Sequence, residues 1–170
     1  MNKYFFINAK RFFFFLVSSF SLALIGYYLL FFIMPGHYVF GALYRMFLYH
    51  WAFPVPFIFL VCLIYSFVAL PFSKPFLRTK TPGRIALTAM IVLTTIFLAS
   101  PLGGVIYYYI DMLAGFFPDN WLRHLIDQGF KDGFSLGWLI ILLSFPYNIL
   151  GTIACYFVTK KGAALFDSPE

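Results

Sequence analysis

Three histidines and four aspartates are the side chains in this chain best suited to acid–base or metal chemistry, and their placement decides what they can do. His37, His50 and His124 stand with Asp111, Asp119, Asp127 and Asp132 in the stretches that separate long apolar runs. Imidazole and carboxylate groups gathered on one side of a protein are what a zinc site or a general acid–base pair needs. The spacing argues against that use, because there is no HxxxH, no HExxH and no cysteine pair. His124 and Asp127 are three apart and would meet on one helix face, as ordinary surface pairs also do. Asp111 follows the run YYYI at an expected lipid boundary, where it could be a catalytic carboxylate, a cation site or a partner of Arg45 or Arg123. A paired or hydrated aspartate at a helix end is the expected case. The candidate outer-face residues are therefore Asp111, His37, His50, Arg45 and His124.

A second kind of chemistry is suggested by SFPYNILG, where Pro146 and Asn148 interrupt the last apolar run. Proline frees a backbone carbonyl and asparagine hydrogen-bonds across helices, and broken helices of this kind build transport sites. Coupling to protons or sodium is not supported, since no charged residue lies within any apolar run and such paths are marked by ionisable groups at depth. SPLGG at residues 100–104 has the same two readings, a site or a plain kink, and the kink is expected.

Absent residues exclude more than present ones establish. Quinone-linked thiol oxidation needs cysteine pairs outside the lipid, haem ligation between helices needs histidines at depth, and intramembrane serine proteolysis needs a deep histidine beside its serine. Here Cys62 and Cys155 fall inside apolar runs and all three histidines fall outside them. Both thiols are expected to be small packing residues. No cofactor and no metal are expected.

The elements that must position these residues follow from composition. The 170 residues are 62% hydrophobic and 11% charged, far from the roughly 25% charged of an ordinary soluble domain. Four charge-free runs, at about 12–34, 51–72, 85–110 and 136–158, are each long enough to cross a hydrocarbon core about 30 Å thick. The first resembles a secretory signal only in its basic start, because its apolar core is too long and no small-x-small cleavage motif follows. The expected fold is an all-α integral membrane protein, one membrane domain over 1–170, with four transmembrane helices.

Charge placement gives the expected orientation. Of the twelve basic residues, nine lie before the first run, between the second and third, or after the fourth; Arg45, Arg123 and Lys131 lie on the alternate side. The positive-inside rule then puts both termini in the cytoplasm. Trp51, Trp121 and Trp138 all fall at the expected outer face, at headgroup level. The net charge of +6 thus follows the bilayer and its anionic leaflet, and no nucleic-acid motif accompanies it.

Both outer connections carry amphipathic patterns. Residues 35–51 place Tyr38, Leu43, Tyr44, Phe47 and Trp51 at near-helical spacing, and residues 118–131 place Trp121, Leu122, Leu125, Ile126 and Phe130 on one face with Arg123, His124, Asp127, Gln128 and Lys131 on the other. Short interfacial helices are expected at both. Between spans two and three, SKPFLRTKTPGR reads as a short basic connection whose prolines end the helices.

Small or weakly polar residues form a stripe along each span. The stripes include Ser19, Ala23 and Gly26; Cys62, Ser66 and Ala69; Thr88, Thr95, Ala99 and Gly103; and Ser144, Asn148, Gly151, Thr152 and Cys155. Such stripes let helix backbones approach where lipid supplies no hydrophobic drive between helices. Ala99, Gly103, Ser144, Asn148, Gly151 and Thr152 are the expected packing or partner-binding residues. They fit a closed bundle or a bundle that also docks on other membrane subunits or on a second copy.

The expected role is a small non-catalytic subunit or accessory partner within a larger membrane complex, in a plasma membrane of bacterial inner-membrane type. A small transporter at the broken fourth helix and a lipid-modifying enzyme at the outer interface are the two alternatives.

Overall fold

The computed structural model describes residues 3–33, 54–113, 115, 123, 125–137 and 147–166. All regular structure among the described residues is helical. Helix α1 spans Lys3–Ile33, α2 Pro54–Arg78 and α3 Thr81–Leu113. A shorter stretch follows, a π-turn π1 at Leu125–Gly129, a single α-turn α4 at Phe130–Asp132 and a second π-turn π2 at Gly133–Gly137. Helix α5, Tyr147–Leu165, closes the described chain.

Helices α1, α2 and α3 contain stretches long and apolar enough to cross a membrane, over Phe6–Leu29, Val55–Arg78 and Thr81–Leu113. The fourth expected span, 136–158, is described only in part, because residues 138–146 lie outside the described residues. The expected interfacial helix at 35–51 and the start of the one at 118–131 lie outside them as well.

Helices α1 and α2 run antiparallel, as the Phe12–Phe67 and Phe20–Phe59 ring pairs show, with centroids 4.6 and 5.6 Å apart. Only Thr79 and Lys80 separate α2 from α3. The two pack antiparallel, with Arg84 bonded to Phe76 at one end and Gly103 against Phe57 further along. Helix α5 returns along α1, since Phe14 meets Phe166 and a Cβ on Gly162 would strike the Phe14 and Phe15 rings. The start of α1, the end of α2, the start of α3 and the end of α5 therefore share one end of the bundle. We call it the basic end.

The buried face of each helix repeats every three or four residues, the spacing that keeps side chains on one stripe. It reads Arg11, Phe15, Ser19 on α1; Cys62, Ser66, Ala69, Ser73, Phe76 on α2; Thr88, Ile91, Thr95, Ala99 on α3; and Thr159, Ala163 on α5. Phe15, Tyr65, Ala69, Ile91 and Val158 form its apolar centre. The opposite faces carry exposed Phe13, Val17, Phe67, Leu93, Phe97 and Phe157. In lipid these side chains need no protein partner, so exposure there costs nothing.

Two connections differ from expectation. Helix α2 continues past the expected end at residue 72 through Pro71 and Pro75 to Arg78. Each proline removes one N–H donor, and near a helix end that loss is limited. Pro82 falls in the first turn of α3, where the missing donor is unpaired anyway. The second difference is the stretch 125–137, which runs antiparallel alongside the C-terminal half of α3, with Phe134 against Phe97 and Gly129 and Gly133 against Gly104.

Candidate functional site

Two clusters of polar chemistry emerge, one at each end of the bundle. At the basic end the Arg11 side chain is 3% exposed and joins three helices. Its Nη1 donates to Ser73 Oγ of α2 at 2.7 Å, and its Nη2 donates to the Phe166 carbonyl, just past the end of α5, at 2.8 Å. Helix C-termini leave carbonyls without intrahelical partners and carry partial negative charge, so a guanidinium is well matched there. Arg84 does the same for α2. Its Nε and Nη2 donate to the Phe76 and Leu77 carbonyls at 3.0 and 3.1 Å, and its guanidinium carbon lies 5.9 Å from the Phe76 ring centre. Each arginine thus caps a helix other than its own.

Deeper in the bundle Tyr65 links α2 to α5. Its hydroxyl lies 2.8 Å from Thr159 Oγ1 and donates to the Cys155 carbonyl at 3.2 Å. The other buried hydroxyls bond within their own helices: Ser66 to the Cys62 carbonyl, Ser73 to Leu70, Thr95 to Ile91 and Ser100 to Ile96. Such back-bonding hides a hydroxyl without a partner helix. Cys62 and Cys155 are both free thiols, the first buried and the second half-buried beside the apolar centre.

At the opposite end α3 and the 125–137 stretch meet through glycine. A Cβ on Gly104 would strike the Gly129 carbonyl and lie 2.6 Å from the Gly133 Cα. A Cβ on Gly133 would lie 2.5 Å from the Ser100 carbonyl and 2.9 Å from the Gly104 Cα. Only hydrogen fits at these two positions, and Gly129 is tight, with an added Cβ 3.2 Å from the Gly104 carbonyl oxygen. Above the glycine contact Tyr108 Oη donates to Asp132 Oδ2 at 2.7 Å. The packed face is therefore glycine, while Ile126, Phe130 and Phe134 of the same stretch are exposed. The expected apolar face is not the one that meets protein.

The candidate residues named from sequence do not assemble into one site among the described residues. His37, His50, Arg45, His124 and Ser144 lie outside the described residues, and so does Asp119. Asp111 is half-buried in the last turn of α3 and makes no hydrogen bond or ion pair among the described residues. Arg123, one of its possible partners, instead approaches Asp127 at 3.5 Å in a solvent-exposed pair. No group of three metal-binding side chains occurs among the described residues.

Of the packing candidates, Ala99 is 2% exposed. Gly103 sits 3.7 Å, measured from an added Cβ, from the Phe57 ring, an ordinary contact. The close approach belongs to its neighbour Gly104, which the sequence reading left out. Asn148 accepts from the Ile149 N–H through Oδ1 at 2.7 Å, and Thr152 Oγ1 donates to the Asn148 carbonyl at 2.8 Å, both within the first turns of α5. Among the described residues nothing lies within 4 Å of an added Cβ on Gly151. Comparison with family models, with curated proteins and with solved structures finds no match for this chain.

Proposed function

We propose that this polytopic membrane protein is a small non-catalytic subunit that packs against another membrane protein. The supporting observation is how its glycines are used. Gly104, Gly129, Gly133 and Gly162 are closed off by the chain's own backbone or rings, whereas among the described residues nothing approaches Gly151, beside half-buried Asn148 and Thr152. A small residue in mid-helix that the described fold leaves uncovered is the form a helix takes where a second helix is to approach. The polar groups of the bundle interior are meanwhile bonded across helices, as Arg11, Arg84 and Tyr65 are, or back to their own helix, which is a structural rather than a catalytic use.

The reading extends to topology. The start of α1 and the end of α5 lie together, joined by Arg11 and the Phe166 carbonyl, which supports an even number of crossings, with α5 as the lower part of a fourth span. Basic residues at that end support a cytoplasmic location for both termini, in a plasma membrane.

The test is purification of the tagged full-length chain in mild detergent. A stoichiometric membrane partner is expected, and Gly151→Leu is expected to release it while leaving the helical content unchanged. A monodisperse chain without a partner overturns the proposal, as does a Gly151→Leu variant that keeps its partner fully.

A further inference from the structure

We propose that the basic end of the bundle is a collar for anionic phospholipid headgroups. Lys10 of α1, Lys74 and Arg78 of α2, Lys80 of the α2–α3 link, and Lys160 and Lys161 of α5 are all exposed. Two arginines of the same end, Arg11 and Arg84, are turned inward as helix caps. The six exposed cations make no hydrogen bond or ion pair among the described residues. No described carboxylate offsets them, because Asp111, Asp127 and Asp132 belong to the other end; Asp167 and Glu170 lie outside the described residues.

The cations are held close by the same bonds that close the bundle. Lys10 adjoins Arg11, Lys74 adjoins Ser73, and Lys161 lies five residues before Phe166, so three helices present ammonium groups around the Arg11 junction. Arg78 and Lys80 flank the short link that Arg84 caps. Like charges fixed in this way repel one another, and counter-charge at the collar relieves the repulsion. Fixing them in advance also lowers the ordering cost of binding.

Depth selects the lipid over a soluble acidic partner. Lys10 precedes the apolar run that begins at 12, Lys74 and Arg78 follow the run that ends at 72, and Lys160 and Lys161 follow the one that ends at 158. Each of these five cations therefore flanks a charge-free run, at the expected headgroup level, where a long aliphatic stem can lie along hydrocarbon. The cations are also shared among α1, α2, the α2–α3 link and α5, which suits several separate headgroups. This inference does not depend on whether a protein partner binds at Gly151.

The experiment is native mass spectrometry of the purified full-length protein exposed to equal amounts of phosphatidylglycerol and phosphatidylcholine. Basic residues near a membrane surface are each worth about fivefold in binding, so wild type is expected to retain phosphatidylglycerol by about tenfold or more over phosphatidylcholine. The K74Q/K160Q/K161Q variant should lose most of that preference, and K131Q, at the opposite end, should keep it. Should the triple variant fail to fold, wild type alone decides. Its preference should collapse when salt is raised from 0.1 to 1 M, as the screening length falls from about 10 to about 3 Å. Inorganic phosphate should compete no better than chloride at equal ionic strength. Equal retention of the two lipids overturns the proposal and leaves an acidic protein segment as the partner; specific competition by phosphate overturns it in favour of a free-anion site.

Discussion

The two ends of the bundle solve one problem by opposite means. At the basic end, side chains cross between helices and bond to backbone carbonyls, as Arg11 does to Phe166 and Arg84 to Phe76. At the other end, α3 and the 125–137 stretch touch backbone to backbone at Gly104, Gly129 and Gly133, with Tyr108 and Asp132 as the polar contact beside them. Lipid offers no hydrophobic reward for burying one helix on another, so either polar bonds or close dispersion contact must do it. The first device is vulnerable to loss of a polar atom. The second is vulnerable to any added volume.

The sharpest way to break the comparison is Gly133→Leu. An added Cβ alone already conflicts with the Ser100 carbonyl and the Gly104 Cα, and backbone cannot rotate away as a side chain can. The loss should reach or exceed the upper end of the about 1–3 kcal/mol typical of overpacking. Equilibrium unfolding in mixed micelles measures it, and a loss smaller than that of the polar deletions below would refute the close contact.

Deleting the polar hub should come next. Arg11→Met removes two charge-assisted bonds from a buried site and is expected to cost about 2–3 kcal/mol. Arg11→Lys should recover only part of this, because an ammonium lacks the planar fork that reaches Ser73 and Phe166 together. Full recovery by lysine would mean that charge, not geometry, holds the junction. A smaller effect is expected for Tyr65→Phe and for Thr159→Val, about 1 kcal/mol each. Their double mutant should cost less than the sum, since they share the 2.8 Å bond.

The difference between the ends also explains what could be read from sequence. Three helices long and apolar enough to cross a membrane were legible because charge-free runs of that length have little other use in a chain with 11% charged residues. The small-residue stripes were legible too, but not their neighbours: Gly103 and Gly104 differ by one position, about 100° around a helix, and only Gly104 meets backbone. Arg11 reads as a charge flanking the first span. Yet it continues the Phe15, Ser19 stripe one turn earlier at four-residue spacing, which was the signal that it turns inward. Likewise Gly129 and Gly133 stand four apart in GFKDG, a pattern masked by the more obvious apolar face of Ile126 and Phe130. The capping role of Arg84 had no signal, because it depends on α2 continuing through Pro75 to Arg78. Bonds between distant residues, such as Tyr65 with Thr159, are set by packing angle and leave no local trace.

The smallest effect tests the comparison from the other side. If glycine matters only where backbone is touched, then Gly151→Ala should be harmless, since no described residue lies within 4 Å of the added Cβ. It should even stabilise the isolated chain by up to about 1 kcal/mol, because alanine loses less backbone entropy in a helix than glycine does. Gly104→Ala must do the reverse, its Cβ meeting the Gly129 carbonyl. Unfolding of both variants in mixed micelles gives the signs. Opposite signs mean that glycine in this chain serves two purposes, closure of its own hairpin at 104 and an open surface at 151; a matching loss at both would place Gly151 in the chain's own packing and remove the surface proposed for a partner.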